Sequence, residues 1–396
     1  MNALDRAFAL LPARGAAPMV VGHVLDFPAG AFTLDELRGR VAERVPGLEP
    51  LGVLADAGTR RWTRTPPPEP RVHVREERAD GRLAEATDAC LRAPLPARPA
   101  PGWDLRLLTC RTERVSRVCF RIEHAVTDGV GAAHVVAALL ADDPVLGPYP
   151  YRPPGPGRAS LRWLGASPFE RFPEHETVPP GCASVPSGLP SLVYADVPDG
   201  ELRAVASRWG AGVNDVYLTA VAGAFAAFQR REAGRVHDLR VVMPMSVRTE
   251  GTRLVPGNAA LPAVLRLPCT APGPRERLED LVAQTRAHKA SGLREGGWKA
   301  LLRMPPRFLL RTTERARFRL AANHIGINGA YRVLGTPPLA ASVFGLNSPG
   351  MLGYVSLTRT RATARLAVVH DRSHGAAGDL PALWVKSLAE LAERVV

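Results

Sequence analysis

The segment Glu123-His124-Ala125-Val126-Thr127-Asp128-Gly129 has the clearest capacity for chemistry in this chain. An imidazole exchanges its proton near neutral pH, and a histidine four residues ahead of an Asp-Gly pair, at the end of a strand, suits general acid–base work. In that arrangement Asp128 holds the loop and Gly129 lets backbone pass close by. The same spacing also suits a histidine satisfied inside the fold, and these residues alone leave both readings open.

The elements that must position this segment are legible around it. Residues 105–111 and 115–123 alternate well enough for a β-hairpin turning at 112–114. Along the second strand Val118, Phe120, Ile122 and His124 share one face, and Arg117, Cys119, Arg121 and Glu123 the other. His124 therefore leaves the strand on its apolar side, and a helix of small residues follows through Leu140. Upstream, residues 19–27 read as a strand, Thr33 and Glu36 have capping-box spacing for a helix to Val45, and another helix is expected over 81–91. Downstream, the expected order is strand 192–197, helix 200–209, a Gly210-Ala211-Gly212 turn, and a helix capped by Asn214 with Asp215 in its first turn. Strands over 239–245 and 258–267 and a charged helix over 275–290 complete the pattern. This alternation predicts an α/β (α+β layered) fold.

Length and composition bound the rest. The chain has 396 residues, and about 150 per domain gives two to three units. Residues 148–157 are too rich in proline for a helix or a central strand. They open an expected crossover over 148–187 between lobes spanning 1–147 and 188–396. Five cysteines without a Cys-x-x-Cys pair predict free thiols and give no metal-ligand spacing. The formal charge is +13, with only three lysines among 51 basic residues, and it predicts anionic partners. Asp5 and Arg6 interrupt the apolar stretch at the N-terminus, and the apolar run 129–141 is too short to span a bilayer. The expected location is cytoplasmic.

Segment 123–129 resembles the HHxxxDG signature of the CoA-dependent acyltransferase superfamily, which includes chloramphenicol acetyltransferase and nonribosomal peptide condensation domains. The wider chain looks most like the wax ester synthase/diacylglycerol acyltransferase branch. The resemblance is carried by Ala3-Leu4-Asp5-Arg6-Ala7-Phe8, by Trp62 followed by His73-Val74-Arg75, and by Pro101-Gly102-Trp103-Asp104-Leu105. It continues in residues 213–224, beginning Val213-Asn214-Asp215-Val216, and in Met243-Pro244-Met245-Ser246-Val247-Arg248 followed by Gly257-Asn258. It implies a V-shaped pseudo-dimer of two chloramphenicol-acetyltransferase-like lobes with a tunnel between them. It further implies acyl transfer from a thioester to an alcohol or amine, with His124 as general base, Asp128 held by an arginine and Gly129 packed at the tunnel wall.

Three departures from the branch bear on the site. Glu123 stands where the first histidine of the pair is usual, with Arg117 or Arg121 as its expected partner. Leu48-Glu49-Pro50-Leu51 lacks the usual arginine, which makes Arg248 the expected partner of Asp128. Asn323-His324-Ile325-Gly326 matches only the core of a late family segment; Asn323 or Ser246 is a candidate donor to an oxyanion, and His324 a candidate for the tunnel wall. These changes point to specialised metabolite or lipid biosynthesis rather than the usual long-chain substrates.

Between Arg294 and Arg319 eight basic residues face two acidic ones. Arg303, Arg307, Arg311 and Arg315 follow at four-residue steps, each exceeding a helical turn by about 40°. Pro305-Pro306 must break that helix. A solvated face, docking of CoA or an acidic acyl carrier protein, and peripheral membrane contact remain open for this stripe. Nucleic-acid signatures are absent from the sequence.

The expected substrates are acyl-CoA or a phosphopantetheine-linked acyl donor and a small-molecule acceptor, used by a monomer with no bound cofactor or metal. Two rivals stay open: a condensation-like enzyme cyclising or releasing carrier-bound intermediates, and a non-catalytic docking module.

Overall fold

The computed structural model describes residues 1–12, 17–56, 58–143, 179, 182, 187–316, 319–327, 331–346 and 351–393, without the side chains of 312–316. Nearly all of the expected crossover 148–187 lies outside the described residues. In chain order the strands are β1 (Val20–Pro28), β2 (Val53–Asp56), β3 (Arg61–Arg64), β4 (Val74–Ala79), β5 (Trp103–Cys110), β6 (Val115–Glu123) and β7 (Pro190–Pro198). They continue with β8 (Leu239–Ser246), β9 (Ala260–Leu267), β10 (Leu320–Gly326), β11 (Ala340–Leu346), β12 (Gly353–Arg359) and β13 (Thr363–Asp371). The helices are α1 (Ala3–Ala9), α2 (Leu34–Arg44), α3 (Pro70–His73), α4 (Leu83–Arg92), α5 (Gly129–Leu140) and α6 (Asp199–Arg208). Then come α7 (Val213–Ala233), α8 (Pro274–Ala290), α9 (Leu293–Arg303), α10 (Pro306–Ala316) and α11 (Leu380–Glu393).

The fold is mixed α/β in two lobes. One sheet has the order β11-β1-β6-β5-β4, the other β7-β13-β12-β10-β8-β9, and β2-β3 form a small ribbon. In the first lobe Leu37 and Val41 of α2 and Val135 and Leu139 of α5 bury against Leu105 and Phe120 of the sheet. In the second, Leu218 and Phe225 of α7 and Trp384 of α11 cover Leu239, Leu357 and Leu366. Helix α2 starts as its residues dictate: Thr33 Oγ1 accepts the Glu36 N–H at 3.2 Å, and Glu36 accepts the Thr33 N–H at 2.7 Å.

The division of sheets does not follow the chain halves. β11, from the region expected to build the second lobe, pairs antiparallel with β1 from Val20–Leu346 to Asp26–Ala340. Its outer edge is satisfied from the other lobe: Thr358 Oγ1 accepts the Val343 N–H at 3.1 Å, and Ser356 Oγ donates to the Val343 carbonyl at 2.6 Å. A buried charge cluster fastens the same junction. Arg117 Nε donates to Asp26 at 2.6 Å and Arg365 of β13 donates to the other Asp26 oxygen at 2.6 Å. Burial alone pushes the Asp26 carboxyl up, but these guanidiniums outweigh it and hold it below its usual range.

Other expectations are corrected here. Gly212, not Asn214, caps α7, because Asp215 in the first turn accepts the Gly212 N–H at 3.2 Å. Neither expected arginine pairs with Glu123: Arg117 is committed to Asp26, and Arg121 Nε donates to Asp104 at 2.8 Å. All five cysteines are free.

Candidate active site

Strand β6 ends at Glu123 and delivers His124 to the junction of the lobes. There the loop 124–128 meets the loop after β8: Thr127 bridges to Gly257, whose N–H donates to the Val126 carbonyl at 2.7 Å. Gly257 has φ +120°, backbone that favours glycine, and a Cβ there would lie 3.1 Å from the Asp5 carboxylate. The turn thus presents Asn258 to the histidine.

Asn258 fixes the imidazole. Its Nδ2 donates to Asp5 Oδ1 at 2.9 Å and to the His124 carbonyl at 2.8 Å, so its Oδ1 is the atom 2.9 Å from His124 Nδ1. That oxygen can only accept, so Nδ1 carries a proton, and in the neutral ring Nε2 is the nitrogen with the lone pair. Asp5 also accepts the Asn258 N–H at 2.6 Å and the Asn2 N–H at 2.7 Å, which ties α1 to the site. The Phe8 ring of the same helix lies 4.7 Å from the imidazole, centroid to centroid. Burial pushes His124 below its ordinary 6.5, outweighing Asp128, Asn258 and Asp5, which pull the other way. Glu123, on the opposite face, has its carboxyl pushed up by burial, countered in part by Arg98.

Asp128 caps α5, accepting the Gly131 N–H at 2.8 Å, and pairs with Arg248 Nε at 2.9 Å. Its second oxygen also accepts the Ala259 N–H at 2.7 Å. Burial raises this carboxyl, but Arg248 and the two backbone donors bring it below its usual range. The Arg248 fork continues to the carbonyls of Thr252 at 2.9 Å, Val255 at 3.1 Å and Gly257, and to Thr127 Oγ1 at 3.1 Å. One guanidinium therefore fastens both loops. The glycine this network requires is Gly131, where a Cβ would sit 2.1 Å from Thr127 Oγ1. At Gly129 a Cβ would make ordinary contacts, the nearest 3.5 Å from Asn323, so the expected tight packing falls two residues later.

His124 opens into a cavity of about 240 Å³ walled by apolar side chains of α1, α9 and α10 such as Leu4, Phe8, Leu301 and Leu309. Ser246, Asn258, Asn323 and Tyr354 supply its few polar groups. His124, Asp128, Gly129, Ser246 and Asn323 are thus together, with Arg248 behind Asp128.

The other candidates lie elsewhere. His324 alternates with Asn323 on β10 and turns toward Tyr217, ring centroids 6.3 Å apart, rather than lining the cavity. Asn214 contacts Met243 Sδ at 3.9 Å, and Asp215 accepts from Thr285 Oγ1 at 2.8 Å. Both build the start of α7 and neither lines the cavity. Arg303, Arg307 and Arg311 are exposed on the outer side of α9 and α10, separated by the break at Pro305-Pro306; the Arg315 side chain lies outside the described residues.

Asp5, Asn258, Gly131 and Tyr354 received no role from sequence. Asp5 and Asn258 stand in two of the segments that carry the resemblance, and their joint signal is a contact between residues 253 positions apart.

No family model matches the chain. A search of curated proteins finds two from strains of Mycobacterium tuberculosis named "Putative diacyglycerol O-acyltransferase", 24% identical over 316 residues, which is 68% of this chain and 66% of theirs. The match thus spans just under two thirds of those relatives. Among solved structures, the wax ester synthase/diacylglycerol acyltransferase from Marinobacter aquaeolei superposes with a TM-score of 0.65 at 16% identity, covering 99% of this chain and 98% of that one. The first condensation domain of the CDA synthetase gives 0.64 at 20% identity, covering 100% and 96%. The starter condensation domain of rhizomide synthetase, solved with C8-CoA and Leu-SNAC, gives 0.62 at 15% identity, covering 99% and 94%.

Proposed function

We propose that this chain, which has the two-lobed fold of the CoA-dependent acyltransferase superfamily, transfers an acyl group from a thioester to an alcohol or amine with His124 as general base. The observation that carries this reading is the bond from His124 Nδ1 to Asn258 Oδ1 at the wall of an apolar cavity, which leaves Nε2 as the nitrogen for the acceptor proton. Nε2 takes the acceptor proton as the acceptor oxygen or nitrogen bonds to the thioester carbonyl carbon. The tetrahedral intermediate then collapses, the carbon–sulfur bond breaks, and the imidazolium returns the proton to the leaving thiolate. Ser246 Oγ accepts from the Arg248 N–H at 3.2 Å and keeps its own proton, and Asn323 has one N–H left after bonding Tyr354. These, with the Tyr354 hydroxyl that accepts from Asn323, are donors the cavity offers to the oxyanion. Asp128 and Arg248 act at one remove, by holding the loops that carry His124 and Asn258.

Support for acyl transfer comes from the named relatives, from the wax ester synthase neighbour and from a condensation-domain neighbour solved with C8-CoA. The chain is tested with acyl-CoA and acylated carrier protein donors against alcohols and amines, with products read by mass spectrometry. Ester or amide with free thiol is the expected result. A folded protein that transfers nothing from either donor class would favour the docking-module reading.

The exposed Arg307 and Arg311 form the start of a docking face for the anionic carrier of the acyl group. Reversing both charges is expected to raise the donor KM about tenfold, with kcat little changed and the effect shrinking in salt. Unchanged KM for both CoA and carrier-protein donors would make the stripe a solvated face.

A further inference from the structure

A second cavity of about 120 Å³ lies between the end of β11, the start of β12 and the end of β13, reaching His370 and Asp371. It shares three wall residues with the cavity at His124: Gly345, Met351 and Tyr354. The two spaces therefore meet at this wall.

Tyr354 is held at both ends of its side chain. Asn323 Nδ2 donates to its hydroxyl at 2.9 Å. At the ring, Gly345 of the neighbouring strand contributes no side chain, and a Cβ there would lie 3.3 Å from a ring carbon. The phenol thus occupies room that a larger residue at 345 would take, with its hydroxyl fixed on the side of His124. An aromatic ring seated this way stands as a partition between the two spaces.

We infer that Tyr354 divides one channel for an unbranched alkyl chain into a near compartment at His124 and a far compartment toward His370, and so sets the chain length that the site accepts. This rests on the acyl-transfer reading only for which substrate brings the chain. The chain arrives on the acyl donor or on an alcohol acceptor, and its other end must stay at Nε2 for reaction. A chain that outgrows the near compartment meets the ring, whereas removing the ring joins the two spaces.

Tyr354→Ala, Tyr354→Phe and Met351→Ala are compared in two arms: acyl thioesters from butanoyl to hexadecanoyl at fixed acceptor, and primary alcohols of the same lengths at fixed donor. In one arm, Tyr354→Ala should raise the ratio of kcat/KM for the longest to the shortest substrate about tenfold or more, a size expected when a pocket accommodates added methylenes. Met351→Ala should move the ratio in the same direction, and Tyr354→Phe, which keeps the ring, should leave the profile as it was. The arm that moves identifies the substrate carrying the chain. Binding of saturated fatty acids by calorimetry gives a readout independent of turnover, with Tyr354→Ala gaining affinity for longer chains. A protein that transfers no acyl group but shows that gain would overturn the acyl-transfer reading and uphold the partition. Unchanged length dependence in both arms and in binding, for folded Tyr354→Ala and Met351→Ala, would overturn the partition.

Discussion

Replacing His124 with alanine is expected to lower kcat by about a hundred- to ten-thousandfold, the range of a positioned general base, while KM changes little. The ring contributes to the transition state, where the acceptor proton must leave as the new bond forms, and neither other titratable side chain lining the cavity is placed to replace it. Asp128 is engaged by Arg248, Gly131 and Ala259, and burial pushes the Tyr354 phenol up to about 12. Folding should survive, because the imidazole is only partly buried and makes one side-chain hydrogen bond, to Asn258, and one ring contact, to Phe8. Leaving Asn258 Oδ1 without its donor costs about 1–3 kcal/mol. Circular dichroism and melting should therefore resemble the parent while turnover collapses. A variant with full turnover would refute the mechanism.

The second large effect is on stability. Arg248→Ala is expected to cost about 3–5 kcal/mol, because it strands the Asp128 carboxylate inside the protein without its counter-charge. Both side chains are buried, at 2% and 5% exposure, so solvent offers little screening. The same change frees the carbonyls of Thr252, Val255 and Gly257, and so loosens the turn that presents Asn258. Activity should fall with stability. Arg248→Lys keeps the charge but lacks the planar fork that reaches several acceptors at once, and should be intermediate. Removing both charges with Asp128→Asn and Arg248→Met should restore part of the stability lost in Arg248→Ala, since the stranded charge is gone. Denaturant midpoints for the four proteins check this order, and an Arg248→Ala protein as stable as the parent would contradict it.

Much of the local architecture could be read from local patterns. The alternation around Phe120 located β6 over Val115–Glu123, the spacing of Thr33 and Glu36 opened α2, and Pro305-Pro306 separated α9 from α10. What escaped depends on contacts between distant residues. Nothing in the sequence Ala340–Leu346 says that β11 should leave its own half of the chain for β1. Asn214 has the side chain of a helix cap, yet Asp215 draws the cap back to Gly212 by accepting its N–H. Glu123 sits on the strand face of Arg117 and Arg121, but both guanidiniums find carboxylates on other strands, Asp26 and Asp104. The motif 124–129 was visible, and Arg248 was nameable as the partner of Asp128. The residue that fixes the imidazole was not, because Asn258 meets His124 across 134 positions of chain.

The most direct measurement is nitrogen-15 NMR of the histidine side chains across pH, with His124 assigned by the signal that His124→Gln removes. At neutral pH Nδ1 should carry the proton and Nε2 should be bare. Because burial lowers the His124 pKa from 6.5, charging should occur only below that value, and turnover should be lost as pH falls through the same lowered pKa. A proton on Nε2 at neutral pH, or an imidazolium that persists above pH 6.5, would contradict a neutral general base held by Asn258.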